Sequence, residues 1–600
     1  MTPTSTNDDI LHDIWDGSAL RPLCAPGRFF SNKNHLALSL STDGVPLFKS
    51  SKLSLWPVYL VILNLPPNIR MNSKNVILCG IWVGPTKPAM DLLLNPVTKC
   101  LQKLSTIGLD IFTPAGTFTV RAKLVIAVFD LPAKAAVLCA KQFNGEYGCS
   151  VCLHPGKRLP NNSRVYLPDV TYADRTHSQV LDAALQAVQT NSTIQGVYGR
   201  SPLSDTIDLV CSIPVDYMHC VLEGVSKWLI NSWFNSHNHV EPYYIGRRVR
   251  EIDNQLLKQR PPTEFSRPPR SIQKHFKYWK ASELRHWLLF YSLPLLLDYL
   301  PSLYYHHYAL FVCAIHMLLS DSITSAQIDA AEQMLSDFCH LMPELYGEKS
   351  CTHNCHLLSH LAKYVRLWGP LWTHSAFGFE SKNGHLKHLF HSKTEIIHQL
   401  LFNTDVLYTL QHVHNQLLDC ESEKMLSYLG DLTSHSNMRS IGDHTYMVGK
   451  SKMMAPTAEQ SIVLGSNDNI EVFSRLFKDG ILYYSSSWGR GNKRDNTHCT
   501  YQVDTCDTCF GIIELFVPAP TPCALIRQLV TSPESLLDKA GHPCRTLYHQ
   551  VDLLNSYIVP VEVSNNLSLI PIESITTKAV FISVPPSQYC IVHPNKIERH

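Results

Sequence analysis

The chain has 600 residues, of which 45% are hydrophobic and 17% charged, a composition typical of a folded protein with several domains. Its formal net charge of +2 excludes a strongly basic or strongly acidic protein, so any contact with nucleic acid must come from local patches. The 19 cysteines are odd in number and lack framework spacing, which favours a reduced intracellular compartment with some metal-binding cysteines.

No stretch of the sequence indicates secretion or insertion into a membrane. The N-terminal segment MTPTSTNDDILHDIWDG is acidic and polar, which does not fit a signal or transit peptide. The most apolar stretch, WLLFYSLPLLL at 287–297, is too short to span a bilayer and predicts a buried core helix.

The region 35–130 is predicted to form an α/β unit. In HLALSLSTDG a leucine occupies every second position from Leu36 to Leu40, which predicts a half-buried strand that ends at Asp43. Two further strands are predicted by KLSLWPVYLVILNLP and NVILCGIWVG, a helix by AMDLLLNPVTKCLQKLSTIG, and a last strand by GTFTVRAKLVIAVFD. Acidic residues, Asp43 and Asp130, therefore end the first and the last strand.

Beyond this unit the pattern changes twice. Residues 205–420 are dominated by helical periodicity. A polar, small-residue stretch at 431–456 predicts a linker, and short β-rich runs such as FGIIELFV predict a small β-rich domain at 457–600.

The two strand-end acids admit two interpretations. Asp43 is a turn residue and Asp130 caps the segment before Pro132 in the local interpretation, which the spacing alone favours. In the other, the neighbouring strand ends bring the two carboxylates together, and divalent cations relieve the repulsion between their charges.

Cysteine and histidine pairs offer a metal site. Cys149-x-x-Cys152 is half of a zinc site or, less well supported, a thioredoxin-like redox pair. His356 and His360 lie at i and i+4, which places both imidazoles on one face of a helix. The two pairs are unrelated, or they form one tetrahedral Cys2His2 set. Alternative ligands close in sequence are Cys351, His353 and Cys355.

Glu380, in FGFES, lies twenty residues after His360. It is a solvated glutamate near a helix start, where the helix dipole favours an acid, or the third carboxylate of a two-metal site.

The ordered set STDG, FDLPA, CxxC, DYMH, HxxxH and FGFES resembles the CACTA (En/Spm) superfamily of cut-and-paste DNA transposases. The resemblance runs from about His35 to about Leu418. It implies an α/β fold with an RNase H-like mixed-sheet catalytic core that a large, helical, zinc-containing insertion interrupts. The implied segments are an N-terminal tail (1–34), the first part of the core (35–148), the insertion (149–375), the last core helices (376–430), the linker (431–456) and the β-rich domain (457–600).

By position, the resemblance makes Asp43, Asp130 and Glu380 the three catalytic acids, which bind two Mg²⁺ or Mn²⁺ ions. It makes Cys149, Cys152, His356 and His360 structural zinc ligands, as in outline in the RAG recombinase. The implied reaction is phosphoryl transfer without a covalent enzyme intermediate. Water cuts a strand at the transposon end, and the freed 3′-hydroxyl then attacks target DNA.

A basic segment offers a surface for DNA. Residues 247–285 contain eleven Lys or Arg against four Asp or Glu, interleaved with Phe265, Phe276, Tyr278 and Trp279. Phosphate contacts and stacking on bases are one interpretation, and a solvated basic surface is the other. The candidate DNA-binding residues are Arg247, Arg248, Arg250, Lys274, Lys277, Lys280, Lys382 and Lys387.

The resemblance therefore implies a nuclear, metal-dependent DNA transposase, and the alternative is a domesticated DNA- or chromatin-binding derivative that does not cut. Double-stranded DNA at transposon ends and targets is the expected partner, and two ends require a homo-oligomer. Because only about thirty residues precede the core, we expect a truncated chain or an accessory DNA-binding protein. A second zinc site at His498, Cys499, Cys506 and Cys509 is an alternative to exposed free thiols.

Overall fold

The computed structural model of the chain describes residues 9–47, 53–114, 116–390, 395–418, 438–488, 493–503, 508–518, 520–541 and 551–598. Within these residues the chain forms two compact units. One unit contains the chain up to Trp228 together with Leu310–Leu407, and the other contains Leu229–Ala309 and the chain from Tyr408 onward.

The first unit is built on a mixed six-stranded sheet. The strand His35–Thr42 lies at its centre, antiparallel to Ser54–Ile62 on one side and parallel to Gly116–Val128 on the other. The remaining strands of the sheet, which pair antiparallel to these, are Val45–Pro46, Val76–Gly84 and Leu109–Thr113. The strands predicted between 35 and 130 are thus confirmed.

The helix Met90–Thr106 packs on this sheet, as its amphipathic pattern predicts. Its buried residues recur at helical spacing and join the apolar faces of the strands in one core: Met90, Leu93, Leu94, Val97 and Leu101. Gly108, with φ of +88°, follows the helix and turns the chain into the next strand, a backbone conformation that favours glycine.

Helices make up most of the remainder of the first unit. They are Pro67–Arg70, Leu131–Val137, His177–Thr190, the π-helical Met218–Ser226, Ser325–Tyr346, His353–Leu358, Leu361–Trp368 and Phe377–Lys387. The first unit also contains two short antiparallel strand pairs, Ile10–Leu11 with Ile323–Thr324 and Lys157–Arg158 with Arg164–Val165. Three helices cross a boundary between the units: Lys227–Phe234, Ser302–Leu318 and Ile396–Leu418.

The second unit combines a helical part with β-structure. Its helices are Val249–Leu256, Ile272–His275, Ala281–His286, the π-helical Trp287–Tyr291, Ser292–Leu296, Ala458–Leu464 and Leu536–Lys539. The predicted core helix around 287–297 is confirmed, because Trp287 to Leu296 are all buried. Among the described residues, no helix is long and apolar enough to cross a bilayer.

The β-rich character predicted for the C-terminal part of the chain is confirmed, and this part contains a closed six-stranded barrel. In chain order the strands are His498–Gln502, Thr508–Val517, Cys523–Thr531, Ile558–Pro571, Ile575–Val584 and Ser587–Val592, and the last two exchange places in the barrel order. A four-stranded antiparallel sheet accompanies it, formed by Met438–Gly442, Thr445–Val448, Arg475–Lys478 and Ile481–Tyr484, with a separate pair Lys452–Met454 and Ile470–Val472.

Part of the predicted linker is ordered β-structure. Residues 431–437 lie outside the described residues, but strands occupy much of 438–454. The other predicted segment boundaries stay predictions.

Candidate functional site

Three acidic side chains line one pocket, which we call the acid pocket. Asp43 and Asp130 follow the parallel neighbouring strands His35–Thr42 and Gly116–Val128, whose residues Ser41 and Val128 are register partners. Glu380 lies in the first turn of the helix Phe377–Lys387. The other residues that line the pocket include Tyr59, His219 and Asn383.

The two strand-end acids also have the local roles that the spacing favours. Asp43 Oδ1 accepts a hydrogen bond from the Gly44 amide at 2.6 Å. Asp130 caps the helix Leu131–Val137, since its Oδ1 accepts from the Ala133 amide at 2.6 Å. Each of these bonds uses Oδ1, so a turn or capping role and a role in the pocket are compatible in the same side chain.

The carboxylates of the acid pocket destabilise one another's charge. Burial and the negative charges of Asp130 and Glu380 raise the pKa of Asp43 to about 7. Burial also raises the pKa of Asp130. Oxygen ligands from carboxylates are those that Mg²⁺ prefers, and a divalent cation between them would remove the repulsion. The acid pocket could therefore hold such a cation.

Tyr59 of the sheet positions the helix that carries Glu380. Its hydroxyl donates to Asn383 Oδ1 at 3.0 Å, and its ring stacks on Phe379 with centroids 6.3 Å apart. These contacts help to place Glu380, which is distant in sequence, next to the strand ends that carry Asp43 and Asp130.

Sequence reasoning gave no role to two residues of the DYMH motif. His219 lines the acid pocket, and its Nδ1 lies 2.6 Å from Asp216 Oδ2. Burial opposes a charged imidazole, but the Asp216 hydrogen bond and the charges of Asp216, Asp130 and Glu380 outweigh it and raise the pKa of His219 to about 9. The acid pocket therefore contains a basic side chain that the motif could have indicated.

The lysines near the acid pocket differ in exposure. Lys87, which sequence reasoning also missed, donates to the Pro132 carbonyl at 2.9 Å, and its charge acts on Asp43 and Asp130. Of the candidate DNA-binding lysines, Lys382 is held by the Ser73 carbonyl at 2.6 Å, whereas Lys387 is exposed.

A second group of donors, the Cys2His2 cluster, comprises Cys149, Cys152, His356 and His360. Their donor atoms all lie within 4.8 Å of one another, and it is the one such group of His, Cys, Asp and Glu among the described residues. Cys152 Sγ lies 3.3 Å from His356 Nε2, Cys149 Sγ lies 3.8 Å from His360 Nε2, and the two Nε2 atoms are 3.3 Å apart.

These distances fit a tetrahedral zinc ion. Zinc bonds of about 2.3 Å to sulfur and about 2.0 Å to nitrogen place neighbouring sulfur and nitrogen ligands roughly 3.5 Å apart and two nitrogens roughly 3.3 Å apart. Burial disfavours the Cys149 thiolate, yet hydrogen bonding with Cys152 and charge on His356 hold the pKa of Cys149 well below its usual range. The predicted pairing of the two motifs is confirmed as geometry, and the cluster could bind zinc.

One detail of the prediction is wrong. His356 lies in the helix His353–Leu358, but His360 immediately precedes a second helix, Leu361–Trp368, so the two histidines do not share one helical face. The break between the helices still brings the two rings together.

The alternative ligands do not join the cluster. Cys355 Sγ lies 3.9 Å from Cys339 Sγ, and Cys351 Sγ lies 4.0 Å from Ser350 Oγ. His353 is buried and interacts with Cys149 but is not part of the four-donor group.

Arg175 supports the loop that carries the two cysteines. Its Nε donates to the carbonyls of Cys149 at 2.9 Å and Cys152 at 3.1 Å, and its Nη2 donates to that of Tyr147 at 3.0 Å. The buried guanidinium therefore holds the backbone of this loop in place through three hydrogen bonds.

Only some residues of the basic segment 247–285, in the second unit, are exposed. Phe265 is fully buried and stacks on His286, and Trp279 is buried against Trp287, so both belong to the core and the prediction that they stack on bases is wrong. Tyr278 is 74% exposed. The exposed candidate cations are Arg247, Arg248, Arg250, Lys274, Lys277 and Lys280, of which Arg248 pairs with Glu251 at 2.6 Å.

Among the described residues, those considered for a second zinc site form no group of three or more metal donors. His498 Nδ1 pairs with Asp495 at 3.0 Å, and Cys499 is fully buried, which contradicts the exposed free thiol expected there. Cys506 lies outside the described residues, and Cys509 is partly buried.

The comparison with known families agrees with the resemblance in the sequence. Residues 8–193 match the sequence model of the family described as transposase family tnp2, the En/Spm-type CACTA transposases. The matched part includes Asp43, Asp130, Cys149 and Cys152 and ends before the two histidines and Glu380. No curated protein matches the chain.

Proposed function

We propose that the chain is a DNA transposase that cuts and joins DNA in the acid pocket, because residues 8–193 match the model of the En/Spm-type CACTA transposase family tnp2. The observation that carries the proposal is that Asp43, Asp130 and Glu380, far apart in sequence, line one pocket. Mutual repulsion among these carboxylates favours the binding of divalent cations there.

We further propose that the sheet of the first unit is an RNase H-like core. In support, three antiparallel strands precede a helix and a strand that returns parallel to the first one. The acids follow the two parallel neighbours, and the largely helical chain between residues 149 and 375 precedes Glu380.

In this proposal Asp43, Asp130 and Glu380 offer carboxylate oxygens to two Mg²⁺ or Mn²⁺ ions. Such a pair, when bound, supplies activation of the attacking oxygen and stabilises the leaving oxygen. The protein places the scissile phosphate between the acidic strand ends and the helix of Glu380. Hydrolysis frees a 3′-hydroxyl at the transposon end, and that hydroxyl attacks a target phosphodiester, forming one phosphorus–oxygen bond as another breaks.

Zinc in the Cys2His2 cluster is proposed to be structural. Four protein ligands fill a tetrahedral shell and leave no open position for a substrate. The cluster holds the loop after the acidic strands against the helices that lead to Glu380, so it supports the acid pocket without chemistry of its own.

DNA binding is assigned to basic side chains, all of them exposed except the half-buried Lys382. The candidates in the second unit are Arg247, Arg248, Arg250, Lys274, Lys277 and Lys280, and Lys382 and Lys387 follow Glu380. Phosphate contacts of this kind position a duplex without reading its sequence. Because two transposon ends must be joined, we propose a homo-oligomer that acts in the nucleus on double-stranded DNA.

The test is strand cleavage of a labelled duplex that carries the terminal repeat of the encoding element, with Mg²⁺ or Mn²⁺. We expect wild type to cut and Asp130→Asn to cut at least about 100-fold more slowly, since one metal ligand is lost. The matched control is Asp110→Asn, at an exposed aspartate on the strand Leu109–Thr113, which should cut like wild type.

Equal rates for wild type and Asp130→Asn would remove Asp130 from the site. A wild-type chain that binds the duplex but does not cut it would instead identify the domesticated DNA-binding alternative.

A further inference from the structure

Asp216 is a buried carboxylate that contacts two walls of the acid pocket without being one of its three acids. Only 1% of its side chain is exposed. It accepts three hydrogen bonds, two of them from His219 and one from the amide of Ala376, which is 160 residues away in sequence.

The bond to Ala376 connects Asp216 to Glu380. Asp216 Oδ1 accepts from the Ala376 amide at 2.8 Å, and the Ala376 carbonyl accepts from the Glu380 amide at 2.9 Å. Ala376 precedes the helix Phe377–Lys387 and has no polar side chain with which to cap it. The carboxylate of Asp216 therefore accepts, from a distant part of the chain, an N–H at the helix start that has no partner within the helix, while Ser375 Oγ accepts from the Phe377 amide at 3.2 Å.

The other oxygen of Asp216 fixes His219. Oδ2 accepts from the His219 amide at 3.0 Å and lies 2.6 Å from its Nδ1. Because Nδ1 is held in this way, the other edge of the ring is directed away from Asp216, and His219 lines the acid pocket. One carboxylate thus fixes both the histidine and the start of the glutamate helix.

We propose that Asp216 is a positioning residue that sets where Glu380 and His219 stand relative to Asp43 and Asp130. The inference rests on the proposed function, since it assigns the purpose of this arrangement to metal and phosphate binding in the acid pocket. A carboxylate is required because all three partners are N–H donors, and an asparagine would turn its own NH₂ group toward at least one of them.

The first experiment measures amide hydrogen exchange of residues 377–381 in Asp216→Asn. We expect exchange about tenfold faster than in wild type, because a buried hydrogen bond to a charged acceptor is lost at the helix start. The matched control is Asp208→Asn, which removes a carboxylate that caps the amides of Val210 and Cys211 in the same unit but does not line the pocket. Unchanged exchange in Asp216→Asn would overturn the proposal.

A second variant removes the same bond from the other side. Ala376→Pro deletes the donated N–H while Asp216 stays, and the backbone tolerates proline because φ of Ala376 is −75° and Ser375 is extended. We expect it to reproduce the faster exchange. His219→Gln keeps the Ala376 bond and should leave the exchange at wild-type rates, and faster exchange there would also contradict the proposal.

The second experiment measures Mn²⁺ binding by electron paramagnetic resonance. We expect the affinity to fall about tenfold in Asp216→Asn and in Ala376→Pro and to stay unchanged in Asp208→Asn, as found when residues that orient metal ligands are replaced. If Asp216→Asn bound Mn²⁺ as wild type does, the positioning role would be wrong. If wild type bound no Mn²⁺, the proposed metal site would fail, while the exchange measurement would still decide whether Asp216 holds the helix.

Discussion

The Cys2His2 cluster and the acid pocket share two stretches of chain, residues 130–152 and 356–380, to which the pocket adds Asp43, yet their electrostatics are opposite. In the cluster, two sulfurs and two imidazoles lie within 4.8 Å of one another, as donors that share one ion do. In the acid pocket, the carboxylates do not meet that spacing, and burial together with repulsion from Asp130 and Glu380 raises the pKa of Asp43 to about 7. A closed shell of donors suits a permanent structural ion, whereas an open, repulsive set suits ions that bind together with a substrate.

The largest effect should follow from removing a cluster ligand. We expect Cys149→Ser to lower the zinc content from about one ion per chain to near zero and to destabilise the first unit by several kcal/mol, because metal binding contributes directly to folding. Zinc can be measured by atomic absorption. Cys100→Ser is the control, since Cys100 is exposed and outside the cluster. An unchanged zinc ratio in Cys149→Ser would reject Cys149 as a ligand.

A smaller effect on zinc binding is expected from replacing Arg175, which donates hydrogen bonds to the loop that carries Cys149 and Cys152. Arg175→Leu removes three hydrogen bonds to carbonyls of that loop, so zinc affinity should fall about 10- to 100-fold. Competition with a chromogenic chelator measures this, and Arg158→Leu, at an exposed arginine, is the control. Equal affinities would show that the four ligands keep their geometry without Arg175.

The acid pocket should respond to pH in the opposite sense to an ordinary ion pair. The pKa of Asp43 is raised in the folded protein, so its contribution to stability is present at low pH and is lost as the pH rises from about 4 to 7. Without divalent metal, wild type should lose about 4 kcal/mol of stability over that window, because the pKa rises by about three units at about 1.4 kcal/mol per unit, and Asp43→Asn should not show this loss.

Urea denaturation between pH 4 and 8 measures this loss, with the exposed Asp182→Asn as the control. Mg²⁺ at pH 8 should stabilise wild type more than Asp43→Asn. A variant with the same pH dependence as wild type would mean that the pocket is not electrostatically strained.

The smallest effect concerns the cation beside the pocket. The charge of Lys87 acts on Asp130 and Asp43, so it competes weakly with a divalent ion. We expect Lys87→Met to tighten Mn²⁺ binding about twofold, the scale of a largely solvated charge interaction. Titration of Mn²⁺ measures it, and a weaker affinity in the variant would make Lys87 a supporting residue of the site instead.

The sequence predicts what depends on local periodicity. The helix Met90–Thr106 and the strands around it follow from the spacing of apolar residues, and the acids at the strand ends follow from where that alternation stops. Glu380 has no such signal, since one glutamate near a helix start is common, and it was found through the order of motifs in the resemblance.

Local sequence patterns do not predict the role of a residue whose contacts come from parts of the chain that are distant in sequence. In the sequence, Asp216 and His219 resemble ordinary residues at the start of a helix. The hydrogen bond from the Ala376 amide to Asp216 cannot be inferred locally, because Ala376 lies 160 residues away. The sequence of the basic segment does not show whether its aromatic residues are exposed or buried. In the structure, Phe265 packs on His286 and Trp279 packs on Trp287, so both are core residues.

The cluster joins Cys152 to His356 across 204 residues. The entropy of closing so long a loop grows only logarithmically, and doubling its length costs about 0.6 kcal/mol. Segments inserted between these two ligands during evolution would therefore weaken the closure very little. The four donors can therefore stay together while the length of the chain between them changes.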